Sequence, residues 1–169
     1  MTPEQAIGIL HFIHPQLEHE YETTRRVLAA VPDEQAEYRP HSTNMSAQQL
    51  AAHIAFTDIW FLESIIKGAF ENPGDSGAAS LKPSEVLAAY DAKMPRLLEE
   101  VKDVGAEQLA TKTSFFMFNL PLVAYLQFAQ KHTIHHRGQM SVYLRPMGAK
   151  VPSIYGGSAD EPMTARTGA

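Results

Sequence analysis

The sequence contains no cysteine among its 169 residues. This absence excludes metal sites built from thiolates, cysteine nucleophiles and any disulfide framework. Ligands for a metal must therefore come from histidine, aspartate or glutamate. A chain of this length can bury a full core without a disulfide or a structural metal, so we expect any bound metal to serve function rather than folding.

Long apolar runs and clusters of positive charge are also missing. No stretch reaches the roughly 18 apolar residues of a membrane span, and the N-terminus lacks a basic segment followed by an apolar one. These features predict a cytoplasmic protein that does not enter membranes. The net charge is −5, with lysine and arginine scattered along the chain. Because no basic patch is evident, nucleic acid is not expected as a partner.

The sequence does contain long amphipathic segments, and the first begins at the N-terminus. Thr2 followed by Pro3 is a typical helix start, and apolar residues recur at helical spacing from there to about Ala30. Pro15 lies inside this pattern. We therefore expect a kink at this point, or a split into a short leader and a main helix from about Gln16.

The second and third segments also carry start and stop signals. Ser46 and Gln49 have the spacing of a capping box, and the helix that follows them is predicted to end near Gly68. The third helix is expected to start at Pro83 and to stop at Gly105.

The fourth helix is predicted to run from Asn119, as its cap, to about Leu144, with Pro121 in its first turn. A short aromatic segment, 113–118, precedes it. This segment is compatible with a hydrophobic lid over one end of the bundle or with the wall of a substrate site.

Together these segments predict one all-α domain over residues 1–169, a four-helix bundle. We find no internal repeat and no strand-type alternation that would call for a second domain. The apolar start of the C-terminal tail is expected to pack back on the bundle. The chain after about residue 156 is expected to be loosely ordered, and beyond Glu161 disordered.

Two histidines at ligand spacing lie on the buried face of the fourth helix. Side chains four residues apart lie one turn apart on the same face, so His132 and His136 can both point at one small object. Neutral imidazole is the commonest protein ligand for borderline divalent metals. The pair therefore predicts a metal site, whereas His135 should face elsewhere.

A third histidine completes the candidate site. His53 lies on the buried face of the second helix, and metal sites in bundles form between facing helices. His53, His132 and His136 would leave at least one coordination position open, which is typical of catalytic rather than structural metals. Zinc fits three imidazoles best, and nickel, iron and manganese are compatible with the same ligands.

Two other metal sites of helical proteins do not match the residues. A metalloprotease helix needs H-E-x-x-H, and the second position of the motif is here Thr133. A di-iron carboxylate bundle needs two inward-facing Glu-x-x-His motifs, and none occurs in the sequence.

Spacing alone singles out no general acid or base. Four carboxylates are candidates: Glu18, Glu22, Asp58 and Glu63.

Two neighbours of the histidine pair have several possible roles. Arg137 either orients an anionic substrate, forms an ion pair with a helix carboxylate, or makes a dimer contact. Gln139 lies on the same stripe as the ligands and is a candidate hydrogen-bond partner for one of them.

Two strings of the sequence carry a resemblance to a known family. They are YRPHSTNMSAQQLAAHIAFTDIW and HTIHHRGQMSVYLRPMGAKVPSIYG. Together with the spacing between them they resemble the DinB-like (DinB/YfiT) superfamily over about Tyr21 to Tyr155. The resemblance implies an up-down-down-up bundle, a homodimer, and a divalent metal at the positions of His53, His132 and His136. Many members have aspartate at the position of Thr133.

The resemblance also implies a range of activities. Characterised members include S-transferases and isomerases that use bacillithiol, mycothiol or glutathione, and hydrolase-like metal enzymes. We therefore predict a metal-dependent enzyme of the thiol S-transferase or hydrolase type, acting on a small molecule and possibly using a low-molecular-weight thiol. The alternative is a non-catalytic bundle for metal binding or dimerisation. The enzyme predicts an open cavity at the metal, whereas the alternative predicts a fourth protein ligand and no cavity.

Overall fold

The computed structural model describes residues 1–74 and 77–163 and is mainly helical. The helices are α1 (Pro3–Ala29), α2 (Ala47–Lys67), α3 (Pro83–Glu100), the short α4 (Ala106–Ala110) and α5 (Ala124–Leu144). Two short strands, β1 (Lys112–Phe115) and β2 (Phe118–Pro121), pair antiparallel between α4 and α5. The four long helices form the predicted all-α bundle.

The direction of each long helix follows from the side chains that meet across the bundle. The pairs are His14–Leu98 and Tyr21–Asp91 for α1 with α3, Asp58–Tyr90 and Glu63–Lys93 for α2 with α3, and His53–His136 and Phe61–Phe128 for α2 with α5. Their order along the chain makes α1 and α3 antiparallel, α2 and α3 parallel, and α2 and α5 antiparallel. The bundle is therefore up-down-down-up.

Local signals fix the start of the first two helices as predicted. The Thr2 hydroxyl accepts from the backbone N–H of Gln5, and the Ser46 hydroxyl accepts from that of Gln49. Both are complete capping boxes, because each glutamine side chain also accepts from the N–H of its cap residue. Gly68 ends α2 with φ +82°, a left-handed conformation that glycine adopts without steric cost.

The predicted split of the first helix at Pro15 is wrong. Helix α1 runs unbroken for 27 residues, with Pro15 exposed on its outer side. Buried residues continue along one face before and after the proline, from Leu10 to Leu17 and Tyr21. Packing of this continuous stripe stabilises the helix despite the backbone hydrogen bond that proline cannot make.

The third helix ends earlier than predicted. Helix α3 stops at Glu100 and continues into a single 3-10 turn, Val101–Asp103. Gly105 has a φ of −61° and caps the start of α4 rather than the end of α3. This glycine correctly predicted a helix boundary, but the boundary is the start of α4 and not the end of α3.

The predicted start of the last helix is also wrong, and so is the absence of strands. Asn119 and Pro121 lie in β2, and α5 begins three residues after Pro121 without a side-chain cap. The backbone N–H of Leu122 donates to the carbonyl group of Thr111, and that of Val123 donates to the carbonyl group of Leu109. Both acceptors lie in the segment just before the hairpin. The N–H groups of Tyr125 and Leu126, which a capping side chain would serve, donate to the carbonyl groups of Leu122 and Val123, so a capping side chain is not required there.

The start of the C-terminal tail packs on the bundle as expected. Pro152 is buried, and Val151 and Ile154 contact the core while partly exposed. The tail is held through residue 161 by ion pairs of Arg26 with Glu161 and of Arg145 with Asp160. The expected loose order of the chain after about residue 156 stays a prediction, and residues 164–169 lie outside the described part of the chain.

None of the helices in the described ranges is long and apolar enough to cross a membrane.

Candidate metal centre

The candidate centre lies where α2 and α5 face each other. His53 is seven residues into α2, counted from the capped start, and His132 and His136 lie on either side of the middle of α5. Because the two helices are antiparallel, one residue of α2 meets two residues of α5 that are one turn apart. The structure therefore brings the three predicted histidines together.

The three Nε2 atoms point at a common centre. The Nε2 of His53 lies 3.1 Å from that of His132 and 3.2 Å from that of His136. Two nitrogen ligands at ordinary zinc distances and a tetrahedral angle are about 3.3 Å apart. Within 1–74 and 77–163, no fourth histidine or carboxylate joins this group. The residues therefore fit a metal ion with three protein ligands.

All three histidines favour the neutral form, which is the form that binds metals. Burial lowers the pKa of His132 to about 4, with further lowering by His136 and His53. Burial also lowers the pKa of His53 and His136. Each neutral ring has one nitrogen with a free lone pair, so the cluster can bind a cation without first losing protons from charged imidazoles.

The hydrogen-bond partners of the outer ring nitrogens differ between the ligands. His136 Nδ1–H donates to Gln139 Oε1 over 2.8 Å, which leaves the Nε2 lone pair of His136 directed at the centre. Gln139 thus contacts the ligand as predicted, although its side chain is exposed. The Nδ1 of His132 is buried without a hydrogen-bond partner among the described residues. His135 is exposed and lies outside the cluster, also as predicted.

Thr133 faces away from the centre. Its hydroxyl donates to the carboxylate of Asp58 on α2, which also accepts from the Tyr90 hydroxyl over 2.7 Å. Burial raises the pKa of Asp58 to about 6, and the bonds from Thr133 and Tyr90 oppose this shift. Asp58 therefore joins α2 to both α3 and α5 just beyond the histidines, a role that no sequence signal indicated.

Arg137 does not reach the site. Its side chain is 1% exposed and forms an ion pair with Glu20 of α1, with 2.5 Å between Nη1 and Oε2. The Tyr155 hydroxyl lies 2.5 Å from Arg137 Nη2 and donates to Glu20 Oε1 over 2.7 Å. Of the three roles considered for Arg137, the structure shows the ion pair with a helix carboxylate.

None of the four candidate carboxylates lies at the centre. Glu18, Glu22 and Glu63 are exposed on the outer faces of their helices. Asp58 is occupied by two hydroxyl groups in the bundle interior. A side-chain carboxylate is therefore not available as a base beside the three histidines in the described ranges.

Two open cavities flank the histidine cluster. The His53-side cavity has a volume of about 480 Å³ and is lined by Met45, Gln49, Ala52, His53, Phe56, Thr57, Trp60, Pro73, Gly74, Ala78 and Ala79. The His136-side cavity has about 460 Å³ and is lined by Pro40, Thr43, Asn44, Met45, Leu50, His136, Gln139, Val142 and Tyr143. Met45 borders both. Apart from the histidines and Gln139, these lining residues belong to no recognisable sequence motif. The sequence alone therefore did not predict the two cavities.

The aromatic segment 113–118 covers the bundle next to the first cavity. Phe115 packs in a cluster of rings that includes Trp60, Phe70 and Phe128. Its neighbour Phe116 is 90% exposed at the tip of the hairpin. The segment packs on the bundle through Phe115, and Ser114, Phe115 and Phe116 also line a cavity of about 320 Å³, so both interpretations stay open.

Solved structures and curated sequences place the chain among known proteins. YjoA of Bacillus subtilis is 31% identical over 130 residues, which cover 74% of this chain and 82% of that protein. A DinB-like protein from Bacillus cereus matches with a TM-score of 0.70 at 25% identity, covering 83% of this chain and 94% of that one. The mycothiol-dependent maleylpyruvate isomerase shares the fold, with a TM-score of 0.55 at 11% identity, over 91% of this chain and 66% of that one.

The match extends to the family as a whole. The sequence model of the DinB family covers residues 13–167, which include α1 from Ile13 onward, both histidine-bearing helices and the tail. The matching length, the bundle topology and the relative YjoA all agree, so the chain belongs to the DinB family.

Proposed function

We propose that this protein is a metal-dependent enzyme that acts on a small molecule by thiol transfer or hydrolysis, at a metal ion held by His53, His132 and His136. The observation that carries the proposal is the convergence of three neutral Nε2 atoms beside two open cavities. Zinc fits three imidazole ligands best, and nickel, iron and manganese accept the same ligands.

Different residues of the chain would have different roles at such a site. A divalent metal with an open position acts as a Lewis acid and lowers the pKa of a bound thiol or water. The three histidines hold the ion and leave part of its surface free. Gln139 fixes the tautomer of His136, and the cavity walls orient the substrate and limit its contact with water.

A thiol nucleophile would have to come from a second molecule, because the chain has no cysteine. The fold is shared with a mycothiol-dependent isomerase, which supports including a low-molecular-weight thiol among the co-substrates to be tested. Hydrolysis is the second branch, since the same ion would activate water. Homodimerisation, which the resemblance implies, stays a prediction.

The cavities favour the enzyme over a non-catalytic bundle. A metal that only tied α2 to α5 would be expected to have a fourth protein ligand and no cavity. The group contains three ligands among the described residues, and His53 and His136 each border an open cavity.

The first test is the metal content of the purified protein, measured by elemental analysis. We expect about one zinc or nickel ion per chain in the native protein, and loss of this metal in His53→Ala and His132→Ala. His11→Ala is the matched control, because it removes an exposed imidazole of α1, which supplies no residue to the cluster.

Metal that persists in both variants, or that is absent from the native protein, would contradict the proposal. In either case the three histidines would be core residues that meet without a ligand. Equal loss from His11→Ala would show that the metal had bound to surface imidazoles.

A further inference from the structure

The described residues that line the two cavities beside the histidine cluster carry no fixed charge. Among the described residues, no aspartate, glutamate, lysine or arginine lines either of them. Arg137, the cation that follows His136 in sequence, is buried on the other side of α5 with Glu20. A charged group on the part of a substrate away from the metal ion would therefore lose hydration in these cavities without gaining an ion pair with a described residue, which is unfavourable.

One wall of the His53-side cavity is a continuous face of α2. His53, Phe56, Thr57 and Trp60 follow one another at helical spacings of three and four residues, so their side chains share that face. The two aromatic rings lie about one and two turns beyond the proposed metal ligand. A molecule bound to the metal through one end would extend along these rings.

The Trp60 ring is held in place and its polar atom is occupied. Its indole N–H donates to the carbonyl group of Glu71 over 2.9 Å. The ring packs against Phe61, Phe70 and Phe115, with centroids 5.0 to 5.5 Å away. Trp60 therefore offers the cavity a fixed apolar surface of the kind that stacks on another aromatic ring.

The His136-side cavity has a different lining. Tyr143 and Asn44 are joined by a hydrogen bond of 3.3 Å, and Thr43 adds a further hydroxyl group at the wall. Its only aromatic ring besides His136 is that of Tyr143. This cavity offers uncharged polar groups and no pair of apolar rings next to the metal ligand.

We propose that the substrate of this site carries an uncharged aromatic group at the end away from the metal, and that this group lies in the His53-side cavity against Phe56 and Trp60. This inference rests on the metal site proposed above. It defines this end of the substrate by its charge and its apolar character, two properties that the metal ligands themselves do not specify.

The test uses cobalt(II)-loaded protein and two matched thiols as probes. They are 2-phenylethanethiol and the same molecule with a carboxylate at the para position of the ring. Binding of sulfur to cobalt is followed through its charge-transfer absorption in the near ultraviolet, which needs no turnover. We expect the uncharged thiol to bind at least tenfold more tightly, because the carboxylate finds no cation in the cavity.

Two variants at exposed rim positions test where the ring lies. Ala79→Trp fills the His53-side cavity, and Val142→Trp fills the His136-side cavity at a residue that is 70% exposed. We expect Ala79→Trp to weaken binding of 2-phenylethanethiol at least tenfold, and Val142→Trp to change it less than twofold. The visible cobalt spectrum checks that each variant keeps the metal site.

The possible results separate the two proposals. Failure of the native protein to bind cobalt would remove the proposed metal site and this inference with it. If the protein binds cobalt but has equal affinity for the two thiols, the proposal that the group in the cavity is uncharged would be wrong. The proposed metal site would remain. A larger effect of Val142→Trp than of Ala79→Trp would overturn the placement of the aromatic group.

Discussion

At the scale of single residues, the hydrogen bond of His136 to Gln139 decides which nitrogen of that ring faces the cluster. His136 Nδ1–H donates to Gln139 Oε1, and Nε2 is therefore the free lone pair. Partners of this kind fix the orientation and basicity of a metal ligand and affect affinity strongly. Gln139 is a ligand-positioning residue that stands at the surface of the protein.

Gln139→Ala is expected to weaken zinc binding about tenfold, because His136 then loses the partner that fixes its tautomer. Competition with a chelating dye measures the change. Gln127→Ala is the matched control, since Gln127 is an exposed glutamine of α5 whose side chain accepts a hydrogen bond from Lys131 and not from a histidine. An affinity equal to that of the native protein would mean that Gln139 does not orient the ligand.

Asp58 should give the apoprotein a pH-dependent stability. Its folded pKa of about 6 lies above the usual value of 3.8 because burial penalises the charged form. Ionisation is therefore easier in the unfolded chain. The stability that protonated Asp58 contributes is fully present below about pH 4 and is lost as the pH rises through 6.

Asp58→Asn should remove this loss, because asparagine does not ionise. From pH 4 to pH 7, we expect the free energy of unfolding of the native protein to fall by about 2 kcal/mol relative to that of the variant. Urea denaturation of the metal-free proteins at both pH values measures it. The comparison at two pH values separates the effect of charge from the hydrogen bond that the substitution also alters. A constant difference would show that Asp58 is not shifted.

At the scale of elements, the β-hairpin contains the one non-glycine residue with positive φ in the described ranges. The register pairs Phe115 with Phe118, so Phe116 and Met117 form a two-residue loop. Phe116 has a φ of +49°. A positive φ at the first loop position alone is the pattern of a type II′ turn, where glycine is preferred.

Phe116→Gly is expected to raise the free energy of unfolding by about 1 kcal/mol, because it removes the steric cost of a bulky residue in the left-handed region. Little packing is lost, since the side chain is 90% exposed. Met117→Gly is the control and should destabilise slightly, as its φ is not positive. Thermal and urea denaturation report both. Destabilisation by Phe116→Gly would mean that the exposed ring makes a contact that outweighs the strain.

The sequence predicted those elements whose signals are local. The capping boxes at Thr2 and Ser46 and the glycine after α2 act within one helical turn, so the pattern and the structure agree. Asn119 and Pro121 gave an equally good helix start that the structure does not use. The two residues just before α5, Leu122 and Val123, instead bond to Thr111 and Leu109 from before the hairpin, which is a tertiary effect that no local pattern contains.

The candidate site was predictable to a similar extent. Helical spacing identified His132 and His136, and burial on the second helix added His53. The role of Arg137 depended on Glu20, which lies more than one hundred residues away in sequence, so spacing left several roles open. The cavity walls come from several separate segments and become visible only when the helices are packed together.

At the scale of the whole molecule, a buried ion pair joins the two ends of the chain. Arg137 of α5 contacts Glu20 and Thr24 of α1, and its guanidinium also meets Tyr155 in the tail. The arginine of the H-H-R-G-Q string therefore serves the assembly of the bundle. Removing one partner of such a pair leaves the other charge buried and unpaired.

Arg137→Ala is expected to lower the free energy of unfolding by about 3 kcal/mol, because Glu20 is then left without its cation. Urea denaturation measures this loss. Arg145→Ala, which removes an exposed ion pair with Asp160, should cost less than about 1 kcal/mol. Adding Glu20→Gln to Arg137→Ala should recover part of the loss. Equal effects of the two arginine variants would contradict the importance of the buried pair.

The all-nitrogen composition of the histidine cluster bears on how the protein meets oxidants. Imidazole rings contain no sulfur, so peroxide cannot release an ion from them by the thiolate chemistry that empties cysteine-based zinc sites. The oxidisable sulfur at the two cavities is the thioether of Met45, which borders both. A centre of this kind would keep its metal under oxidative stress, and damage would fall first on the wall between the cavities.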